Sequence, residues 1–131
     1  MYELKVVTQF AAAHQLKMVA KKCENLHGHN WKIEVCVAGE KLNDTGVLVD
    51  FGEIKAHLSQ IVEGLDHKFL NELGLFNDGN PSSENIARYI AQALQEKISD
   101  PAVKVMRVAA WESDSACATY ISDDFKAFYL N

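Results

Sequence analysis

Two long runs of alternating side chains in the first 37 residues constrain this chain more than anything else in it. Tyr2, Leu4, Val6, Thr8 and Phe10 alternate with Glu3, Lys5, Val7 and Gln9, which is the period of a β-strand. This predicts a strand over 2–13, running through Ala11-Ala12-Ala13 into His14. The alternation returns from His27 to Val37, with Trp31, Ile33, Val35 and Val37 on one face and Lys32, Glu34 and Cys36 on the other. His27 and His29 share the parity of Trp31, so both imidazoles fall on the packed face at the start of the strand.

The remainder supplies two helices and two more strands. Gly39 to Gly46, ending in Asn43-Asp44-Thr45-Gly46, is turn chemistry. Asp50 can cap a helix over 51–64, with Phe51, Ile54, Leu58, Ile61, Val62 and Leu65 in one apolar stripe. Asn77-Asp78-Gly79-Asn80-Pro81 is a second turn, after which Ser82 or Ser83 caps a helix over 83–98. Its stripe is Ile86, Tyr89, Ile90, Ala93, Leu94 and Ile98. Residues 102–112 and 116–122 read as strands. The order ββααββ predicts one α+β domain over 1–131, a four-stranded antiparallel sheet with both helices on one face. Its free edges predict edge-to-edge association of subunits, a homo-oligomer.

Composition narrows the partners. A net charge of −5 argues against a general nucleic-acid or membrane-surface binder. Three cysteines form no disulfide framework, and no apolar run reaches membrane length, so a reduced, cytoplasmic setting is expected.

The chemistry concentrates in Cys23-Glu24-Asn25-Leu26-His27-Gly28-His29, with His14 nine residues upstream of Cys23. Three imidazoles with no required thiolate would form a zinc (Zn2+) site with one open coordination position, the catalytic pattern; the alternative is that His27 and His29 merely ride on a strand. Cys23 has two readings. It is either a fourth ligand that closes the site, or a free thiol whose pKa Lys21 and Lys22 lower. Cys36 and Cys117 lie within strand patterns and are expected to be small buried side chains. Asp66-His67 matches a carboxylate orienting an imidazole base, although adjacent residues seldom point the same way. Glu112 follows Trp111 at a strand end, where a carboxylate can take two parallel hydrogen bonds from a guanidine-like edge. On pattern alone these last two, with Ser82, Ser83 and Glu84, are better explained as surface and helix-end residues. Lys17, Lys21, Lys22 and Lys68 are candidate phosphate contacts.

Taken in order, Phe10-Ala11-Ala12-Ala13-His14, Cys23-x-x-x-His27-Gly28-His29, Val49-Asp50-Phe51, Leu65-Asp66-His67, Asn80-Pro81-Ser82-Ser83-Glu84 and Glu112 resemble the 6-pyruvoyl-tetrahydropterin synthase family. The three residues between Cys23 and His27 resemble its 6-carboxy-tetrahydropterin synthase branch, which serves queuosine biosynthesis. The resemblance implies a tunnelling fold and a zinc-dependent lyase. The substrate would be 7,8-dihydroneopterin triphosphate, and the products 6-carboxy-5,6,7,8-tetrahydropterin, acetaldehyde and triphosphate. It implies His14, His27 and His29 as zinc ligands and Cys23 as the catalytic base, with Asp66 and His67 as its relay. Glu112 would anchor the pterin, and Ser83 and Glu84 would line its pocket. It also implies a trimer or hexamer with sites at subunit interfaces. The alternatives are a pyruvoyl-forming or other dihydroneopterin side-chain-cleaving enzyme, and a non-catalytic zinc module closed by Cys23.

Overall fold

The computed structural model describes residues 1–17, 25–76 and 79–129 of the 131-residue chain. In chain order the elements are β1 (Tyr2–His14), β2 (His27–Gly39), α1 (Phe51–Glu63), β3 (Lys68–Phe69), a 3-10 turn (Leu70–Glu72), α2 (Ser83–Lys97), β4 (Lys104–Ser113), β5 (Ala116–Ile121) and α3 (Asp123–Tyr129). The strands form one sheet in the order β3-β1-β2-β4-β5. Every pairing is antiparallel except that of β1 with β3.

β1 and β2 pair along their full length, from Tyr2 opposite Gly39 to His14 opposite His27. That register follows from the two alternating runs, because a slip by one residue would carry Val6, Phe10, Trp31, Ile33 and Val35 to the wrong face. These side chains are buried beneath α1 and α2. Asp50 caps α1 by accepting from Gly52 N–H at 2.6 Å, and Ser82 caps α2 by accepting from Asn85 N–H at 3.1 Å. Ile54, Leu58, Ile61 and Val62 dock α1, each contributing about 1.5–3 kcal/mol. Phe51, expected in that stripe, is half exposed because it opens the helix at its outer end. On α2 the small Ala87 and Ala91 join Ile86, Ile90 and Leu94 in the buried stripe, letting the helix lie close to the sheet. The other face of the sheet carries Lys5, Lys32, Glu34 and Arg107.

Two expectations need correction. The sheet is five-stranded and mixed, not four-stranded and antiparallel, and there are three α-helices, not two. β3 has only two residues, too few to show a period, and forms because the chain turns back along the free edge of β1. α3 occupies the acidic-then-aromatic C-terminal stretch. Ser122 Oγ accepts from Phe125 N–H at 3.2 Å, and Asp123 and Asp124 sit in the first turn, where the helix dipole favours them. Cys36 is buried as expected, but Cys117 is exposed, because β5 is the outermost strand. Among the described residues no helix is long and apolar enough to cross a membrane.

Candidate metal centre and active site

The strand register builds the site. His14 ends β1 opposite His27, Ala12 lies opposite His29, and Phe10 lies opposite Trp31. The three imidazoles therefore gather on the covered face around the fully buried Trp31. Its indole stands edge-on to His14 and His29, at 5.1 and 5.3 Å between centroids. Trp31 Nε1 donates to Ala12 O at 3.3 Å, which fixes this floor.

Backbone carbonyls set the protonation of two of the rings. His14, whose side chain is fully buried, places Nδ1 2.8 Å from Pro81 O, and His27 places Nδ1 2.7 Å from Asn25 O. A carbonyl only accepts, so each Nδ1 carries the hydrogen and each Nε2 is left with a lone pair. Those two Nε2 atoms face each other at 3.0 Å. Two lone pairs at that distance repel unless a cation lies among them. Tetrahedral zinc with bonds of about 2.0–2.1 Å would hold such nitrogens roughly 3.3 Å apart, close to what is seen.

A carboxylate approaches the three imidazoles from across the sheet. The β4–β5 pairing slips between Trp111 and Ser113, and the residue passed over, Glu112, shares the covered face with Val108 and Ala110. Its Oε1 lies 2.8 Å from His29 Nε2, 3.5 Å from His14 Nε2 and 3.6 Å from His27 Nε2. The contact to His29 is short but off the hydrogen-bond axis, leaving that buried nitrogen without a hydrogen-bond partner. Burial also lowers the His29 pKa, against the opposing pull of the Glu112 carboxylate, so the neutral ring is favoured. One ligand atom from each of His14, His27, His29 and Glu112 lies within 4.8 Å of the others. Convergent neutral imidazoles with an orphaned nitrogen and a carboxylate fit a divalent metal ion.

Ser83 is buried at the start of α2, and its Oγ donates to Glu112 Oε2 at 3.4 Å. Glu84, one residue on, is exposed in the first turn of the helix. Ser83 thus joins the cluster through Glu112, whereas Glu84 points to its rim or to solvent.

Asp66 and His67 form a second device. Asp66 Oδ1 accepts from Ala11 N–H at 2.9 Å, and Oδ2 lies 3.0 Å from His67 Nδ1. Neighbouring side chains meet because His67 adopts φ 58°, in the left-handed region where non-glycine residues are rare. The Ala11 amide, and after it His67, hold the Asp66 carboxyl below the usual carboxylate range. The His67 side chain is 82% exposed. It borders an open groove of about 540 Å³ that Lys68, Ala11, Ala13, Asn30 and the cluster residue His29 also line. Parity places Ala11, Ala13 and Asn30 on the uncovered face, opposite the imidazole cluster. Cys23, Lys21 and Lys22 lie outside the described residues, and Lys17 is exposed beyond the end of β1.

A family model described as 6-pyruvoyl tetrahydropterin synthase matches residues 3–123. The chain belongs to that family. A relative within this family, the 6-carboxy-5,6,7,8-tetrahydropterin synthase of Synechocystis sp., is 44% identical over 93 residues, covering 66% of this chain and 70% of that protein. The dihydroneopterin monophosphate aldolase of Pyrococcus furiosus is 35% identical over 105 residues, covering 80% and 84%. The structure of Caenorhabditis elegans 6-pyruvoyl tetrahydropterin synthase superposes with a TM-score of 0.81 at 25% identity, covering 93% of this chain and 96% of that one.

The sequence did not signal the carbonyls of Asn25 and Pro81 that set the imidazole tautomers. Backbone atoms carry no side-chain signature; only the turn character of Asn80-Pro81 hinted at a fixed conformation there.

Proposed function

We propose that this protein converts 7,8-dihydroneopterin triphosphate and one water molecule to 6-carboxy-5,6,7,8-tetrahydropterin, acetaldehyde and triphosphate. The observation that carries this reading is the convergence of His14, His27 and His29 on one point beside Glu112 and Ser83, in a chain of this family. The three-residue interval between Cys23 and His27 and the likeness to the Synechocystis enzyme favour the carboxy-forming branch.

His14, His27 and His29 would hold zinc, which supplies Lewis acidity toward the hydroxyls and adjacent C–H bonds of the pterin side chain. The chain's own residues do the rest. Cys23 as thiolate takes a proton from the side chain and passes it toward the ring. His67 returns protons, and Asp66, held anionic by Ala11 N–H, keeps His67 Nδ1 as the donor and leaves Nε2 toward substrate. Glu112 receives the guanidine-like edge of the pterin, steadied by Ser83, and Glu84 lines the approach. Lys68, on the groove beside His67, and Lys17 offer positive charge for the triphosphate in a chain of net charge −5. The free sheet edges would join subunits, so that a second subunit completes the working site in a trimer or hexamer.

Incubation with dihydroneopterin triphosphate and mass analysis tests the assignment. A carboxylated tetrahydropterin with acetaldehyde supports it. A pyruvoyl product or glycolaldehyde would move the chain to another branch of the family.

A further inference from the structure

The outer edge of β1 is satisfied in an unusual way. Beyond Ala13, which pairs with Phe69, β3 ends, and among the described residues no strand continues along this edge. On its other side β1 has no β2 partner past His14, which faces His27, the first residue of that strand. A metal ligand on the last residue of a strand is where fraying starts.

Two asparagine side chains take the place of the missing strand. Gln15 N–H donates to Asn71 Oδ1 at 2.9 Å, and Asn71 Nδ2 donates back to Gln15 O at 2.7 Å. Lys17 N–H donates to Asn80 Oδ1, and Asn80 Nδ2 donates to Lys17 O, both at 2.9 Å. Residues 15 and 17 present their backbone groups to the same edge, as alternate residues of an extended chain do. The same edge carries Ala11, whose N–H meets Asp66 and whose O meets His67 N–H. An amide side chain has one acceptor and one donor end, so it can imitate both halves of a strand neighbour.

Asn80 is also joined to the metal ligand through its chain neighbour. The next residue's carbonyl, Pro81 O, accepts from His14 Nδ1. Asn85 Nδ2 in turn donates to Asn80 O at 2.9 Å, tying the turn to α2. One turn thus grips His14 by its ring and the chain three residues later by its backbone.

We propose that Asn71 and Asn80 are positioning residues for the metal centre: a two-rung side-chain strand that holds residues 15–17 extended and presents His14 Nε2 in one orientation. This rests on reading the imidazole cluster as a metal site. Neither asparagine touches that cluster, so its effect passes through His14.

The test compares wild type with Asn71→Asp, Asn80→Asp and the double variant Asn71→Ser/Asn80→Ser. Aspartate keeps the acceptor and the size but cannot donate to the backbone carbonyl. Zinc affinity is measured by competition with a chromophoric chelator, and the visible spectrum is recorded with cobalt in place of zinc. Unfolding of the metal-free proteins is followed in parallel. Loss of an outer-sphere partner weakens metal affinity about 10–100-fold. That loss is expected in Asn80→Asp and the double variant, with an altered cobalt spectrum and metal-free unfolding close to wild type. Affinity within twofold of wild type and an unchanged cobalt spectrum in the double variant would overturn the proposal. So would variants that fail to fold without metal, which would make the two residues structural. A wild type that binds no zinc overturns the metal reading and this proposal with it.

Discussion

Zinc added to the metal-stripped protein should raise its melting temperature by a calculable amount. Nε2 of His14 and His27 already stand 3.0 Å apart on backbone-anchored rings, so little rearrangement opposes binding. The ligands span residues 14 to 29 and come together only through the β1–β2 pairing, so the unfolded chain competes weakly. At free zinc a hundred times its dissociation constant, linkage then stabilises the folded state by about 2.7 kcal/mol. Unfolding entropy near 60 °C is roughly 2.1 cal/mol/K per residue, or about 0.28 kcal/mol/K for 131 residues. The ratio gives a shift of roughly 10 °C. Calorimetry on the stripped protein, with and without zinc at that multiple of the measured constant, reads it directly. His27→Ala is the informative variant: the His27 side chain is 35% exposed, so its removal spares the core while taking away one ligand. It should lose most of the shift. A wild-type shift below about 2 °C, or a His27→Ala shift equal to wild type, would refute the reasoning that the three imidazoles act as one preformed site.

Other outcomes separate the roles of individual residues. Cys23→Ala should retain zinc at wild-type stoichiometry and lose turnover; loss of zinc instead would make Cys23 a ligand. Glu112→Ala should weaken pterin binding by one to two orders of magnitude, the loss of a bidentate charge-assisted contact, as read by calorimetric titration with a product pterin. Unchanged affinity would remove the anchor role and leave Glu112 to the metal. Asp66 has a lowered pKa when folded, so its contribution to stability is present above the unfolded pKa and lost as pH falls through the folded one. Acid unfolding of Asp66→Asn should therefore be flatter than wild type below about pH 4, and a profile parallel to wild type would show the carboxylate to be uncoupled from folding.

Much of the architecture was written in side-chain periodicity. Both long strands and both long helices came within two residues of their observed ends, because each buries a continuous apolar face. The parity of His27 and His29 with Trp31 placed both rings on the covered face, where they are. What escaped was short or made of backbone. β3 and its continuation by Asn71 and Asn80 have no period to read, and the Pro81 and Asn25 carbonyls have no residue signature. Glu112 looked like any strand-end carboxylate. Its parity with Val108 and Ala110 puts it on the covered face, but which side chains it meets there depends on the β2–β4 pairing, which the sequence does not show. Spacing alone also set Asp66 and His67 aside, since adjacent side chains diverge in ordinary backbone.

The left-handed backbone at His67 decides which substitution there can be interpreted. Alanine would lose the imidazole and also sit uneasily at φ 58°, so a fall in rate could reflect a shifted loop as easily as a missing base. Asparagine tolerates that conformation, and glycine adopts it freely. His67→Asn and His67→Gly are thus two clean deletions of the ring with opposite effects on chain freedom. If both lose turnover equally, the imidazole is what the reaction requires. If glycine alone fails, the rigidity of that turn is the functional quantity.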